Sequence, residues 1–558
     1  GQGSADQVLT SDGTDISWED ASGGGISGLT GLVENSSIWL GADPSGTTST
    51  ASYNVSLGTS ALDSITTGDD NTALGYNTLT TLTTGSYNTV VGAIAGDSIT
   101  TGSGNVLVGR NAGTAITTGG ENIAFGMNAL SAVSTASFNV GIGSAAGISV
   151  TGTGNTAVGH ESMYAAVTGS HNTGLGRISL YALTSGTENT CLGYASGDAI
   201  TTGGYNTAVG GLSLSGVTTA SYNTGVGYNA GLSITTGANN TLLGYIAGDA
   251  ITTGGTNICI GKDSGGTITT GNSNTCIGAA AGESITTQDG NTMVGTGAGS
   301  NCTGAHNVCM GSNISITSGT SNVLIGRNAF GNGSGSSNTG VGPYALTACN
   351  SGEVNVAVGA TSAGSLTSGD HNTCIGPEAG GSTHAGSLTT GDRNVLIGYM
   401  VVPSAVGGDN QIVIVTDDGS AASRYPGTPG KGDDTGFIDP NQGAMYQGDN
   451  TSTWTSTSDE RIKKNIVDST KGLAEINQIQ VRNFEYRLPE EVDAELPQTA
   501  AVKKEGVQTG VIAQEVMDIL PDIVQTETTG AYSVNPDNIT WHLVKAVQEL
   551  SAEVEALK

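Results

Sequence analysis

The sequence has few charged and few aromatic residues, and each shortage excludes a class of protein. Only 12% of its 558 residues are charged and 4% are aromatic, whereas 90 are Gly. So few large side chains cannot fill the several close-packed cores that a globular chain of this length would form. The composition favours a long, narrow object that buries little apolar area per unit length.

Basic residues are scarcer still, with 17 Lys and Arg against 48 Asp and Glu and a formal net charge of −31. Residues 1–400 contain only five of them, which are Arg110, Arg177, Lys262, Arg327 and Arg393. Without a basic stripe to neutralise phosphates, we predict no nucleic-acid binding. The same deficit argues against attraction to an anionic membrane surface.

Long apolar runs and cysteine motifs are also missing. No run of 18 apolar residues exists, so we predict no membrane insertion by a helix. The first residue is Gly1 and no signal peptide precedes it, so we expect a fragment or a processed form with an attachment domain upstream. Seven cysteines without CxxC spacing specify neither a disulfide framework nor a zinc site, and we predict no metal or other cofactor.

What the sequence does contain is a repeat. Asn, then Thr, Val or Ile, then a variable residue, a large aliphatic residue and Gly recur 21 times between Asn54 and Asn394, mostly 17 residues apart. A fixed period of this size is typical of solenoids. We therefore predict a mainly β, elongated solenoid or β-roll rod, with two short strands per repeat separated by Gly-rich turns.

Positions counted from each motif Asn carry separate predictions. Position three is almost always aliphatic, as in Leu74 and Val91, and we expect it to face a continuous interior. Position eleven, as in Leu82, is a second apolar position, whereas position five is often large and polar and should face solvent. The Asn itself should turn the chain and hydrogen-bond backbone groups of its own or the next coil.

Three further residue types recur in register with the motif. Five cysteines stand at position two and are expected to be small buried spacers: Cys191, Cys259, Cys276, Cys309 and Cys374. Acidic residues at position nine are expected to be hydrated, with a bridging cation as the alternative: Asp63, Asp97, Asp198, Asp249 and Glu283. Tyrosines at position five are candidate glycan contacts, or else ordinary strand residues: Tyr76, Tyr194, Tyr228 and Tyr245.

This repeat resembles the β-roll heads of trimeric autotransporter adhesins, and more closely the Asn-Thr-x-x-Gly arrays of bacteriophage tail fibres. The resemblance covers residues 50–400 and implies a homotrimeric fibrous β-structure. The period of the adhesin heads is shorter, which leaves the shape of the coil open. Before the repeat, residues 1–49 read as a β neck with a hairpin around an Asp-Gly turn, and after it residues 401–457 read as a loop-rich tip or linker.

At Ser458 the composition changes to charged, helix-compatible sequence, which predicts a small α+β domain over residues 458–558. Its last helix has a start signal in Asn535-Pro536. Apolar residues then follow at heptad spacing: Ile539, Leu543, Val547, Leu550, Val554 and Leu557. This seam predicts a coiled coil between copies of the chain, with packing against the domain's own core as the alternative.

The domain begins Ser-Asp-Glu-Arg-Ile-Lys and later contains Gly-Val-Ile-Ala-Gln-Glu, and on these motifs it resembles the self-cleaving intramolecular chaperone of the endosialidase type. That resemblance implies Ser458 as nucleophile, Lys463 as general base and a cut between Thr457 and Ser458, with Lys464 as the alternative base. Asp459, Arg461, Gln514 and Glu515 match the motifs in support. A serine next to a neutral lysine amine is a plausible nucleophile on chemical grounds.

Together these observations predict a homotrimeric virion fibre or spike that is made in the host cytoplasm. Its expected partners are copies of itself, other tail or capsid proteins, and a glycan or protein receptor on the host surface. Whether the chain is an enzyme stays open, since only autoproteolysis is expected. The alternatives are a glycan-degrading spike whose enzymatic part lies upstream and a cellular trimeric adhesin; the scattered carboxylates of the repeat do not resemble a glycosidase pair.

Overall fold

The computed structural model describes the chain in two compact units, Gly1–Ser456 and Thr457–Lys558. The described residues are 7–11, 16–20, 31–34, 36–40, 47–381, 387–416, 428–429, 436–440, 445–447, 455–456, 464–493, 495–496, 506–526 and 530–558. Within them, no helix is long and apolar enough to cross a bilayer.

Short strands dominate the described part of the first unit. Those before and within the first half of the repeat are β1 Gln7–Ser11, β2 Ile16–Asp20, β3 Gly31–Glu34, β4 Ser37–Leu40, β5 Val55–Leu57, β6 Thr72–Leu74, β7 Thr89–Val91, β8 Val106–Val108, β9 Ile123–Phe125, β10 Val140–Ile142, β11 Thr156–Val158, β12 Thr173–Leu175, β13 Thr190–Leu192, β14 Thr207–Val209, β15 Thr224–Val226 and β16 Thr241–Leu243. The remaining strands are β17 Ile258–Ile260, β18 Thr275–Ile277, β19 Thr292–Val294, β20 Val308–Met310, β21 Ser315–Ile316, β22 Val323–Ile325, β23 Gly331–Gly333, β24 Thr339–Val341, β25 Val356–Val358, β26 Thr373–Ile375, β27 Val395–Ile397, β28 Val401–Val402, β29 Ile412–Thr416, β30 Thr428–Pro429, β31 Gly436–Pro440, β32 Met445–Gln447 and β33 Thr455–Ser456.

Each of the 21 motif asparagines is followed at once by a three-residue strand, and consecutive strands pair in parallel. The ladder runs without a break in register from β4 to β31, so that Thr72 lies beside Thr89 and Leu74 beside Val91. At its two ends β3 and β32 pair antiparallel with their neighbours. The prediction of a mainly β solenoid is confirmed, and at about 4.8 Å per coil the ladder is on the order of 100 Å long.

The motif asparagines form a continuous buried ladder of side-chain amides. In the coil of Asn71, the backbone N–H and Nδ2 both donate to Oδ1 of Asn54, at 2.9 and 3.0 Å, and Nδ2 also donates to the carbonyl oxygen of Gly85 at 3.0 Å. Ser37 occupies the ladder position before Asn54, and its hydroxyl oxygen accepts from the N–H of Asn54. Gln411 occupies the last position, and its N–H donates to Oδ1 of Asn394. This confirms the predicted role of the Asn in bonding its own and neighbouring coils.

The solenoid interior is formed by positions two, seven, eight and eleven, not by position three. In the coil of Asn71, Ala73, Leu79 and Leu82 are buried, whereas Leu74 is 41% exposed. The prediction that position three faces the interior is therefore wrong. The cause is the alternation of a strand: because the Asn is buried, position two points to the same side, and positions one and three point outward.

The prediction of two strands per repeat is also wrong for most coils. Position eleven is buried as expected, but the Ile-Thr-Thr-Gly stretch around Ile99 lies in turns and bends. Its main-chain bonds to the next coil converge on one carbonyl oxygen, as from the N–H groups of Thr83 and Thr84 to Thr100 at 2.8 and 3.4 Å. Left-handed residues on either side, Leu79 and Tyr87, interrupt an extended pairing. A second parallel pairing forms only locally among the described residues, between β21 and β23 and between β28 and β30.

Many corners of the coil use left-handed backbone at residues other than Gly. The position before each motif Asn has φ between +50° and +75° throughout, and at Val354 a β-branched side chain adopts φ +56°. Such a conformation costs a β-branched residue on the order of 1–2 kcal/mol. Asn occupies the same position at Asn239 and Asn410 with similar φ values.

We therefore expect Val354→Asn to raise the free energy of unfolding by about 1 kcal/mol, because Asn tolerates left-handed backbone and Val354 is exposed. The urea concentration at the unfolding midpoint measures the change. Val406→Asn is the control, since Val406 is similarly exposed but is not left-handed, and it should bring no gain. An equal gain from both variants would contradict the argument.

The flanks of the repeat agree in part with the sequence. The predicted N-terminal hairpin is present, with Gln7 of β1 beside Asp20 of β2. The described residues of the 401–457 segment, which was expected to be loop-rich, contain six short strands, β28–β33, of which β29 and β31 extend the main ladder. The predicted division of the chain into a neck, a rod, a tip and a chaperone domain stays a prediction.

The second unit has a different construction. Its described elements are the helices α1 Leu473–Ile476, α2 Ala513–Met517 and α3 Pro536–Ala556, and the strands β34 Arg482–Phe484, β35 Gln508–Gly510, β36 Val524–Thr526 and β37 Tyr532–Val534. Two antiparallel pairs form, β34 with β35 and β36 with β37. The terminal helix begins at Pro536, directly after Asn535, as the start signal predicted.

Candidate functional site

A small apolar cluster positions the elements of the second unit. Val516 of α2 is buried with Leu520 and Ile523, and Ile539 from the first turns of α3 packs against them. In a separate contact, the backbone N–H of Leu473 donates to a carboxylate oxygen of Glu549 at 2.8 Å, which ties α1 to α3. The unit therefore holds α2 and the start of α3 against one core.

The Gly-Val-Ile-Ala-Gln-Glu motif spans the end of β35 and the start of α2. Its last residue, Glu515, accepts two hydrogen bonds from the guanidinium of Arg482, at 3.1 Å from Nε and 2.9 Å from Nη2. This two-point contact fastens β34 to α2, and it raises the pKa of Arg482 above its usual value. Sequence reasoning missed Arg482, because a partner 33 residues away leaves no local pattern.

Gln514 points toward a different feature. It lines an open groove of about 590 Å³ together with Phe484, Tyr486, Val511 and Tyr532. Of the two polar residues of the motif, Gln514 thus lines the groove and Glu515 forms the ion pair. The residues predicted to carry chemistry, Thr457, Ser458, Asp459, Arg461 and Lys463, lie outside the described residues.

These features belong to the stretch that a comparison with protein families singles out. Residues 458–525 match the family model described as chaperone of endosialidase. The match begins at Ser458 and includes the Gly-Val-Ile-Ala-Gln-Glu motif, Arg482 and Glu515. Neither a curated protein nor a solved structure matches the chain. The chaperone-of-endosialidase region and the β-solenoid before it support a tail-fibre-like protein.

Beyond the matched residues, most of the heptad seam of α3 is exposed. Ile539 is half-buried against the core, but Leu543, Val547, Leu550 and Val554 are exposed. The face of α3 that docks on its own unit is formed by other residues, among them Ala546 and His542. From Leu543 onward the seam is therefore not covered by the described core of its own unit, which was the alternative that the sequence left open.

The candidate glycan contacts are all on the solenoid surface. Tyr76, Tyr194, Tyr228 and Tyr245 are each about half exposed. The rings of Tyr228 and Tyr245 stack with centroids 5.9 Å apart, and the guanidinium of Arg177 lies 5.8 Å from the ring centroid of Tyr194. Exposed stacked rings offer flat apolar faces of the kind on which sugar rings pack. Their role in binding stays a prediction.

The acidic column at position nine does not gather into a metal centre. Among the residues that the structure describes, no group of three or more His, Cys, Asp or Glu could hold an ion. Asp97, Asp198 and Asp249 are partly buried, and desolvation raises the pKa of each carboxyl. The hydroxyl of Ser215 donates to Asp198.

The seven cysteines are free and buried, as predicted for the five at position two. Burial raises the pKa of Cys374 and of Cys349 to about 12, and the other buried thiols shift in the same direction where a shift is resolved. Thiols that stay protonated in the interior are poor nucleophiles and poor metal ligands. Their place in the structure is that of small interior side chains.

Proposed function

We propose that this chain is a homotrimeric fibre or spike of a bacteriophage virion that contacts the host surface and matures by cutting itself between Thr457 and Ser458. The observation that carries the proposal is the family match, which starts at Ser458, the first residue after the proposed cut. The solenoid before it is the elongated partner that such a terminal chaperone would fold. Other tail or capsid proteins and a host glycan or protein receptor are the proposed partners.

The proposed cleavage needs only groups that the chain itself supplies. The hydroxyl oxygen of Ser458 attacks the carbonyl carbon of Thr457 while the neutral amine of Lys463 accepts the hydroxyl proton. The peptide C–N bond breaks, an ester forms, and the nitrogen of Ser458 takes the proton as it leaves. Water then hydrolyses the ester, which frees the carboxylate of Thr457. Because the scissile carbonyl directly precedes the nucleophile, no diffusional encounter is required.

Trimer formation is supported by the uncovered seam of α3. Four apolar residues of a heptad pattern stand exposed on one face of a 21-residue helix. Such a seam is stabilised when it packs against the same seam of other copies. A clamp of this kind at one end would set the register between copies, which the repetitive solenoid by itself specifies weakly.

Host attachment rests on the tyrosine surface. The stacked pair of Tyr228 and Tyr245 and the contact of Arg177 with Tyr194 lie on successive or nearly successive coils. They form a line of rings suited to a carbohydrate chain. The proposed receptor is for this reason a surface glycan in the first instance.

Cleavage is tested on a denaturing gel with intact mass measurement of the wild type, Ser458→Ala and a matched lysine pair. We expect the wild type to give a fragment that ends at Thr457, and we expect Ser458→Ala and Lys463→Ala to stay whole at 55.3 kDa. Lys464→Ala should be cut like the wild type, which separates the proposed base from its neighbour. A wild type that stays whole would overturn self-cleavage and leave the domain as a permanent tip.

A further inference from the structure

The outer face of the strand ladder carries two uncharged columns that are partly or largely exposed to solvent: an apolar one and one that mixes Thr with Val and Ile. Positions one and three of every coil point outward, because the buried Asn and position two point inward. Position three, the first column, is occupied by Leu40, Leu57, Leu74, Val91, Val108, Phe125, Ile142, Val158, Leu175, Leu192, Val209, Val226, Leu243, Ile260, Ile277, Val294, Met310, Ile325, Val341, Val358, Ile375, Ile397 and Ile414. Position one, the second column, contains only Thr, Val and Ile.

These side chains are in contact with solvent in the single chain. Leu57, Leu192 and Leu243 are each more than 40% exposed, and Phe125 is 56% exposed. The parallel register stacks each of them on the same position of the next coil, as Leu175 on Leu192. The exposure is thus a continuous band and not a set of scattered residues.

The band is free of charge in a chain that is strongly acidic. From Ile38 to Ile414, neither column contains Asp, Glu, Lys or Arg, although the whole chain has a net charge of −31. Charged and large polar residues begin at position five, as at Arg177 and Lys262. A surface that contacts only water usually contains charged residues, whereas the centres of protein interfaces are depleted of them.

The size of the band is sufficient for a stable interface. With 23 coils about 4.8 Å apart and two columns about 10 Å across, it offers on the order of 1,000 Å² in each copy. A standard stable interface uses about 800 Å² from each partner.

We infer that this outer face is the surface by which parallel copies of the chain pack along the solenoid, with positions one and three at the centre of the trimer. The inference rests on the trimer proposed above and adds the surface that forms it. Equivalent coils of the three copies lie side by side, so that Leu192 of one copy faces the same coil of its neighbours. Position five and its tyrosines then lie outside the interface, where a receptor can reach them.

The same geometry gives Phe125 a particular place. It is the one aromatic side chain in either column, and it is the most exposed member of position three. Elsewhere Leu, Val and Ile alternate with little order, so copies shifted by one coil would still pack apolar on apolar. A single larger side chain at one level favours the arrangement in which the three Phe125 rings meet.

Cross-linking of introduced cysteines tests the surface. Leu192→Cys places a thiol on the band, and Tyr181→Cys places one at a similarly exposed site outside the strands. The native thiols give little background, since all seven are buried. With a short bis-maleimide, we expect most Leu192→Cys chains to run as covalent dimers on a denaturing gel and Tyr181→Cys chains to run as monomers.

Ile277→Cys provides a second site on the band in case one variant folds poorly, and light scattering gives the number of chains in the wild-type particle. Trimeric wild type with cross-linking at neither band site would overturn the inference while the proposed function stands. Cross-linking at Tyr181→Cys as strong as at Leu192→Cys would also overturn it. A monomeric wild type would overturn both the inference and the proposed trimer.

Discussion

Gly210→Ala is expected to destabilise the solenoid by about 3–5 kcal/mol, whereas Ala at the next residue should be tolerated. Gly210 has φ +129°, and a Cβ atom there would lie 2.4 Å from the carbonyl oxygen of Gly227 in the next coil. That oxygen belongs to backbone that the strand ladder holds in place, so neither coil can move to relieve the overlap. The cost combines a backbone conformation restricted to Gly with a steric overlap.

Gly211→Ala is the matched control. Gly211 does not have left-handed backbone, and the nearest atom to its Cβ would be a ring carbon of Tyr228 at an ordinary contact distance of 3.5 Å. Other coils carry large side chains at this same position, Tyr194 among them. Limited proteolysis and the urea midpoint of both variants measure the difference, and equal midpoints would contradict the close approach of successive coils.

Asn274→Asp should have an effect of similar size, and that effect should depend on pH. Nδ2 of Asn274 donates to the carbonyl oxygen of Gln288 at 2.8 Å and to Oδ1 of Asn257 at 3.2 Å. Its own Oδ1 accepts from the N–H of Asn291 at 3.0 Å. A carboxylate keeps the acceptor but sets a buried negative charge against two oxygens, which we expect to cost about 3–5 kcal/mol at pH 7.

The direction of the pH dependence follows from the folded state. Burial and the two facing oxygens raise the folded pKa of the introduced carboxyl above its unfolded value of about 3.9. The folded protein then binds the proton more tightly, so stability is retained at low pH and lost as pH rises from the unfolded pKa to the folded pKa. The deficit relative to wild type should be smaller at pH 4 than at pH 7.

Asn272→Asp is the control in the same coil. Asn272 is exposed, and its Nδ2 donates to the exposed carboxylate of Asp289 at 3.3 Å. Elsewhere the same column already contains carboxylates on successive coils, at Asp370, Asp392 and Asp409, of which the last two accept from the backbone N–H of the coil before. We expect its free energy of unfolding to change by less than about 1 kcal/mol. Urea midpoints of both variants at the two pH values decide the matter, and a pH-independent loss at Asn274→Asp would refute the explanation.

The sequence predicted those parts of the fold whose signals are local. The period, the N-terminal hairpin and the start of α3 each follow from residues that are adjacent or regularly spaced. The orientation of the strands was mispredicted because one Asn can serve as a turn former or as a buried ladder residue. Once Asn71 is inside, Leu74 must be outside, and an expected core column becomes a surface.

The second unit shows where sequence reasoning ends. The motif that contains Glu515 was recognised, but its partner Arg482 was not, since the pair is formed by tertiary packing between β34 and α2. The groove beside Gln514 is likewise built from strands that are distant in sequence. Contacts between residues that are distant in sequence produce no repeating pattern, so one sequence does not predict them.

The geometry of the amide ladder does not change with the number of residues that separate two successive asparagines. Asn322 bonds to Asn307 across 15 residues and Asn394 to Asn372 across 22, in both cases with Nδ2 at 3.0 Å from Oδ1. A coil can thus gain or lose residues on its outer side while the amides keep their spacing. Such a solenoid can acquire new surface loops, or whole additional coils, without changes to its buried amide ladder. The length of the rod and its surface loops can therefore evolve without loss of stability.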